Sequence, residues 1–314
     1  MKKIILLIII CALVLISSCE NSINSINLIN SENTTGADFI SAPDTKEHEI
    51  YNNNISPERY LICKHTDITE FNRSIQNPKE FEVSKNIIGG IVPHHMAAAT
   101  LISGFFKSVS DMDMDYDTVV ILAPNHAGET GDIVFSYKNW QAQEAVYCDK
   151  DIIEGVYKRK PDGCVITEND DRMEAEHSVS VLIPYINYYL PETKVAAFIL
   201  SRRLSLESVY NFTQALYDEV KDRKVLFISS VDFSHFLTPA LAYENDRITE
   251  AAIISGNYRD IHNFSNNYVD SPQALNAFLM CFSNLEILYN TDASEFLGPG
   301  IDETTSYFII AAYE

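Results

Sequence analysis

The sequence predicts an α/β protein, a layered sandwich with a central largely parallel or mixed sheet and helices on both faces. Short runs of β-branched and apolar residues occur at positions 87–92, 118–122 and 225–230, and longer segments of helical character separate them. Alternation of strands and helices is typical of sheets whose parallel strands are connected by helices that cover both faces. Each run is short enough for one buried strand.

The segments between the predicted strands have helical character. They are expected at residues 96–109, 205–220, 238–254 and 272–288. No change of composition divides the chain after residue 58, and a length of about 255 residues fits a single domain. We therefore expect one α/β domain over residues 58–314.

The first 57 residues differ in composition from the rest. Lys2 and Lys3 precede an apolar run that ends in Ser17-Ser18-Cys19, a pattern that predicts a lipoprotein signal peptide at residues 1–18. The apolar run is shorter than the roughly 20 residues that span a bilayer. Cys19 would carry the lipid, and the polar residues 19–57 predict a flexible tether. The expected location is extracytoplasmic, lipid-anchored to a bacterial membrane, with the membrane as a partner through Cys19.

Charge and cysteine content narrow the class of protein. The chain has 44 acidic and 23 basic residues and a net charge of −21, so nucleic acid is not expected as a partner. Four cysteines remain outside the first 19 residues, and none forms a CxxC pair that predicts a zinc ribbon. They are expected either to include one disulfide, Cys148 to Cys164, or to be buried free thiols.

Candidate site residues follow the predicted strands. His94 follows the first strand, His126 the second, and Asp232 and His235 the third. Ligands of α/β proteins bind beyond the carboxyl ends of the strands, so these side chains are expected along one edge. One histidine after a strand is more often a structural residue, but three in equivalent positions predict a metal or acid/base pocket.

The remaining histidines have sequence contexts that predict a site role less strongly. His177 lies in a polar turn where Glu176 or Ser178 could orient its ring, and its sequence context fits a pocket residue and an exposed turn equally well. His48 lies in the tether, while His65 and His262 follow no predicted strand. Surface roles are expected for these three.

Five motifs follow one another along the chain: IVPHH, ILAPNH, EHSVSVLIPY, SSVDFSH and TTSYFIIAAY. In this order they resemble the Memo family, known in bacteria as AmmeMemoRadiSam system protein B. The resemblance covers about residues 86–313. The resemblance implies the fold of class III extradiol dioxygenases, which are non-haem iron enzymes, and a family pocket formed by two histidines and a cysteine.

Carried over to this chain, the resemblance implies that His94 and His126 are metal ligands. Asp270 stands where the family has cysteine, so the implied set is His94, His126 and Asp270, and two histidines with one carboxylate suit ferrous iron. We expect the two histidines at the ends of neighbouring strands, and Asp270 at the start of a helix over the same crevice. Alternatively, Asp270 stabilises the amino end of that helix, which Ser271 and Pro272 begin.

The sequence also departs from the family near this site. His95-Met96 replaces Ala-Gly, and Ser180 replaces a glutamate. His95 is therefore an alternative third ligand. His177 and Asp232 are further alternatives for the same position.

Two functions remain open from the sequence. The first is a metal-dependent oxidoreductase, with iron as the expected cofactor and copper or zinc as alternatives. In it His177 or His235 is the acid/base, Asp232 orients a histidine, and an unidentified small molecule is the substrate. The second is a non-catalytic lipoprotein that binds a metal, a ligand or a protein.

Overall fold

The computed structural model describes residues 60–314 except 113, 128–130 and 299. The predicted signal peptide, Cys19 and the tether lie outside the described residues. Helices and strands follow in chain order: β1 Tyr60–Ile62, α1 Ile68–Gln76, β2 Ile87–Val92, α2 Ala99–Ser110, β3 Thr118–Pro124, β4 Ile133–Phe135, β5 Asn139–Gln141, β6 Ala145–Val146, α3 Lys150–Arg159, β7 Ile166–Glu168, α4 Asp170–Ala175, α5 His177–Ser180, α6 Ile183–Tyr189, β8 Lys194–Leu200, α7 Leu206–Val220, β9 Val225–Ser230, β10 Phe233–Leu237, α8 Pro239–Ile254, α9 Tyr258–His262, α10 Pro272–Leu279, β11 Leu285–Asp292, α11 Ser294–Leu297 and β12 Thr304–Tyr313.

Most strands of the described residues belong to one mixed sheet. Its order is β10-β12-β2-β9-β3-β8-β4-β7, with β11 paired to β12, and a separate small sheet has the order β1-β5-β6. Strands β2, β9, β3 and β8 are parallel to one another, while β12 and β4 flank them in antiparallel pairing. The predicted α/β fold with a largely parallel or mixed sheet is confirmed.

The central strands are apolar on both sides because helices cover both faces. Val119 and Ile121 of β3 pack in one buried cluster with α2 and α6, whereas Val120 and Leu122 pack in another with α3, α7 and α10. Gly90 permits close contact between β2 and α2, since a Cβ atom there would lie 2.2 Å from Cζ of Phe105. The Phe105 ring thus packs directly on the backbone of the strand that precedes His94.

The strand order changes one expectation about the site. Strand β9 pairs with both β2 and β3, with Val92 opposite Ser230 and Leu122 opposite Ser229. The expectation that the strands ending in His94 and His126 are neighbours is therefore wrong. The end of β9 lies between them and supplies further polar side chains.

The predicted helices are present, with one error of extent. Ser205, Thr238 and Ser271 each accept a hydrogen bond from a backbone N–H of the first turn, which begins helices α7, α8 and α10. The helix expected over residues 272–288 ends at Leu279, and residues from Leu285 form strand β11. Antiparallel pairing of β11 with β12 takes precedence over the helical spacing of apolar residues there.

Cys148, Cys164 and Cys281 are free thiols. Cys148 lies near the carbonyl of Ser136, and Cys164 near the carbonyl of Ser208. The alternative of a Cys148–Cys164 disulfide is therefore not formed. Among the described residues, no helix is long and apolar enough to cross a membrane.

Candidate metal centre

A cavity of about 440 Å³ opens at the carboxyl edge of the sheet. The loops that follow β2, β9 and β3 contribute to its wall, as expected for a parallel α/β sheet. The lining residues are His65, His94, His95, Met96, His126, His177, Val181, Asp232, His235, Phe236 and Thr305.

His94 is buried, and one of its ring nitrogens is engaged by the end of β9. Nδ1 lies 3.2 Å from the Ser230 hydroxyl, which donates its own proton to the carbonyl of Ser178 at 2.5 Å. Because the serine proton is already used, Nδ1 of His94 must be the donor to Ser230. Nε2 is then the nitrogen that can offer a lone pair.

His126 is held in the same way by a different partner. Its Nδ1 lies 2.7 Å from Oε1 of Glu176, and its backbone N–H donates to Oε2 of the same carboxylate at 3.0 Å. Glu176 is fully buried and is also paired with Arg172. The carboxylate accepts the Nδ1 proton, so His126 also presents Nε2 to the cavity.

Asp270 faces both of these nitrogens with one oxygen. Its Oδ2 lies 3.2 Å from Nε2 of His94 and 3.7 Å from Nε2 of His126. The same oxygen accepts the backbone N–H of Asp232 at 3.2 Å, whereas Oδ1 is buried without a hydrogen-bond partner among the described residues. The hydroxyl of Ser271 caps helix α10 instead.

Arg202 holds the segment that carries Asp270. Its guanidinium donates to the backbone carbonyls of Asp270 at 3.0 Å, Val269 at 2.7 Å and Phe264 at 3.1 Å. These bonds fix the backbone immediately before α10, so the position of the Asp270 carboxylate depends on a residue that follows β8.

The electrostatics favour a positive charge between the imidazoles and the carboxylate. Burial opposes protonation of His126, but hydrogen bonds to Asp270 and Glu176 raise its pKa to about 10. Burial also lowers the pKa of His94, but Asp232 and Asp270 reverse the effect and raise it. Despite burial, the two histidines hold the pKa of Asp270 well below its usual range. A proton or a metal ion can supply this charge.

The other candidate residues occupy different places around this point. Ligand atoms of His94, His126 and His177 lie within 4.8 Å of one another, as do those of His94, Asp232 and Asp270. His177 stacks on His126 with ring centroids 4.4 Å apart. Burial and the neighbouring histidines lower the pKa of His177 to about 3, so it is neutral near pH 7.

Asp232, His95 and His235 complete the set of predicted residues. Oδ1 of Asp232 accepts the backbone N–H of His94 at 3.1 Å, and Oδ2 lies 3.6 Å from its Nε2. Nδ1 of His95 lies 2.7 Å from the hydroxyl oxygen of Tyr307. His235 lines the cavity from β10, an edge strand that begins three residues after β9.

Sequence reasoning missed several residues that hold the cavity histidines and Asp270 in place. Glu176 or Ser178 is the expected partner of His177, but the shortest contact of Glu176 with a histidine ring is with His126. Ser230, Arg202 and Tyr307 are not among the residues that the sequence predicts for the site. The pair Ser229-Ser230 in the SSVDFSH motif was a usable signal, because polar residues at the end of a buried strand need a partner.

The donor set fits a divalent transition metal. Two imidazole Nε2 atoms and one carboxylate oxygen are the ligands that non-haem ferrous iron prefers, and zinc or copper accepts them too. Ligands bound at about 2.0–2.2 Å lie roughly 3–4.5 Å apart, as the Asp270 oxygen and the two histidine nitrogens do. Among the described residues, the groups whose ligand atoms all lie within 4.8 Å are His94 with His126 and His177, and His94 with Asp232 and Asp270, so the full set of His94, His126 and Asp270 stays a prediction. Each histidine also has the hydrogen-bonded Nδ1 that metal-binding histidines usually have.

Fold and site together define an α/β protein with a histidine and carboxylate pocket at the carboxyl edge of its sheet. The sequence matches the family described as Memo-like protein over residues 64–290. The chain therefore belongs to the Memo-like family, and the resemblance inferred from its motifs is confirmed.

Relatives of this family share a moderate part of the sequence. A MEMO1 family protein of Methanosarcina barkeri is 26% identical over 175 residues, covering 54% of this chain and 63% of that protein. One from Thermococcus onnurineus is 28% identical over 172 residues, covering 51% and 56%. The chain thus spans less than two thirds of the length of these relatives. An uncharacterized protein of Escherichia coli K12 has a solved structure with a TM-score of 0.49 and 9% identity, covering 72% of this chain and 100% of that one.

Proposed function

We propose that this protein binds one divalent metal ion, iron before copper or zinc, through His94, His126 and Asp270, and acts as an oxidoreductase on a small organic molecule. One observation carries the proposal: a single buried oxygen of Asp270 faces the Nε2 atoms of both histidines, whose Nδ1 atoms are already engaged. The family's likeness to non-haem iron dioxygenases supports the choice of iron.

A bound ferrous ion would supply open coordination positions for substrate and oxygen. The chain's own residues supply the rest of the chemistry. His177 lies against His126 with Nδ1 3.3 Å from Glu176, which leaves its other nitrogen to accept a proton. His235 lies across the same cavity as a second acid/base, and Asp232 fixes the backbone of His94.

Metal content of the purified protein tests the first part of the proposal. We expect about one equivalent of iron after anaerobic loading, and loss of that metal in His94→Ala and His126→Ala with secondary structure unchanged. Oxygen consumption by the loaded protein with a panel of small phenolic and enolic compounds tests the second part. Bound iron without turnover would leave a metal-binding protein and contradict the oxidoreductase role.

We also propose that Cys19 carries a lipid anchor that places the domain outside the cytoplasm of a bacterial cell. The sequence pattern Lys2-Lys3, the apolar run and Ser17-Ser18-Cys19 supports this location. Labelled fatty acid is expected to enter the wild type and to be absent from Cys19→Ala. Label that persists in the variant contradicts the anchor.

A further inference from the structure

His95 lines the same cavity as the metal centre but has a partner of its own. Its Nδ1 lies 2.7 Å from the hydroxyl of Tyr307 on β12. Tyr307 is fully buried, whereas His95 is exposed to the cavity. The other ring nitrogen, Nε2, makes no hydrogen bond within the described part of the chain.

The burial of Tyr307 decides which atom donates. Nδ1 of His95 is the hydrogen-bond partner of the tyrosine hydroxyl among the described residues. Leaving a buried O–H without an acceptor costs more than leaving an oxygen lone pair unused, so the hydroxyl donates and Nδ1 accepts. In neutral His95 the ring proton is then on Nε2, and the ring presents a fixed N–H donor to the cavity.

The rest of the wall limits what this donor can bind. No lysine or arginine lines the cavity in the residues that the structure describes, and Asp232 adds negative charge. A multiply charged anion such as a phosphate ester would be poorly compensated there. Met96, Val181 and Phe236 add apolar surface, which suits a small organic ligand with one anionic group.

We infer that His95, oriented by Tyr307, is a specificity-determining residue that donates a hydrogen bond to the anionic oxygen of a small monoanionic ligand bound at the metal. The ligand class is an organic carboxylate, enolate or phenolate with a single negative charge. The inference rests on the proposed function, because the ligand is held by the metal of His94, His126 and Asp270.

The test uses the full chain loaded with cobalt(II), whose visible absorption changes when an added ligand binds. Acetate is the anionic probe, and imidazole is the neutral probe that offers no anionic oxygen. We expect His95→Ala to weaken acetate binding about tenfold or more, since hydrogen bonds to charged groups contribute about 1.5–3 kcal/mol. Imidazole binding should change less than about twofold.

Three further variants separate the effect of the His95 hydrogen-bond donor from a general effect on the cavity. Tyr307→Phe keeps the ring and removes the hydroxyl that fixes His95, so we expect acetate to bind about two- to fivefold more weakly. His95→Gln should recover part of the affinity, because its amide offers an N–H. His65→Ala is the matched control, because His65 also lines the cavity but its Nε2 is engaged by the backbone carbonyl of Ala175.

The outcomes separate this inference from the function on which it rests. Failure of the wild type to bind cobalt overturns both. Full cobalt binding with equal acetate affinity in wild type and His95→Ala overturns the inference alone. Loss of cobalt in His95→Ala shows that His95 is a ligand, and a matching loss of acetate binding in His65→Ala shows an unspecific effect; either result contradicts the inference.

Discussion

The cavity contains two kinds of histidine, and they differ in what holds the ring. The inner histidines, His94 and His126, have Nδ1 bonded to groups that are buried, the Ser230 hydroxyl and the Glu176 carboxylate. Nε2 of each then faces Asp270. Their orientation is therefore fixed before any ligand binds.

The rim histidines, defined as His65, His95, His177 and His235, are held less uniformly. His65 is exposed and contacts a backbone carbonyl, while Nδ1 of His235 is buried without a hydrogen-bond partner among the described residues. Position at the end of a strand is thus not sufficient for a ligand role. The distinguishing feature of the inner histidines is that Nε2 of each faces the buried Asp270 carboxylate while Nδ1 is engaged by a buried group.

The largest expected effect comes from the residue that joins the inner histidines. Asp270→Ala should abolish stoichiometric metal binding, because it removes the oxygen that faces both Nε2 atoms. Asp270→Cys should instead retain metal and shift preference from iron to zinc or copper(I), since thiolate is a softer ligand. Metal analysis after competition among the ions measures both. Unchanged iron binding in Asp270→Ala would show that another residue is the third ligand.

A smaller effect is expected from the buried acceptor behind His126. Glu176→Gln should weaken metal affinity about 10–100-fold, because residues that orient metal ligands typically contribute that much. Glu174→Gln is the matched control, since Glu174 contacts the backbone of Ile62 and the side chain of Lys64 away from the metal centre. Equal losses in the two variants would contradict the special role of Glu176.

The metal-free protein should lose stability at alkaline pH. The pKa of His126 rises from an ordinary 6.5 to about 10 in the folded chain, so its stabilising contribution is complete below about 6.5 and is lost as pH rises through about 10. The melting temperature of metal-free wild type should fall by more degrees between pH 7 and pH 10 than that of His126→Gln. Metal loading should reduce the fall, because the ion replaces the proton. If the melting temperatures of the two proteins fall by the same number of degrees, protonation of His126 is not the cause of the loss of stability.

The smallest effect is expected at the rim. His65→Ala should change the free energy of unfolding by less than about 0.5 kcal/mol, as for most exposed residues, and should leave metal content unchanged. Denaturant unfolding and metal analysis measure the two quantities. A loss of metal in His65→Ala would show that metal binding also depends on a rim histidine and would contradict the distinction from the inner histidines.

Local patterns in the sequence predicted much of this arrangement. The apolar runs predicted β2, β3 and β9, and the residues that follow them include His94, His126 and Asp232. The motif resemblance singled out Asp270, and the structure brings it against both inner histidines. The strand predictions are confirmed because strand character and its termination depend on neighbouring residues, and the carboxyl ends of parallel strands share one edge.

The sequence by itself determined the fold class, the strand ends and the residue types of the site. Tertiary structure decided the strand order, which places β9 between the strands that precede His94 and His126, and the pairing of β11 that ends α10 at Leu279. It also decided the partners of the rings: Glu176 lies 50 residues from His126, and Ser230 lies 136 residues from His94. Local spacing carries no information about such distant contacts, because packing of the whole sheet and its helices creates them.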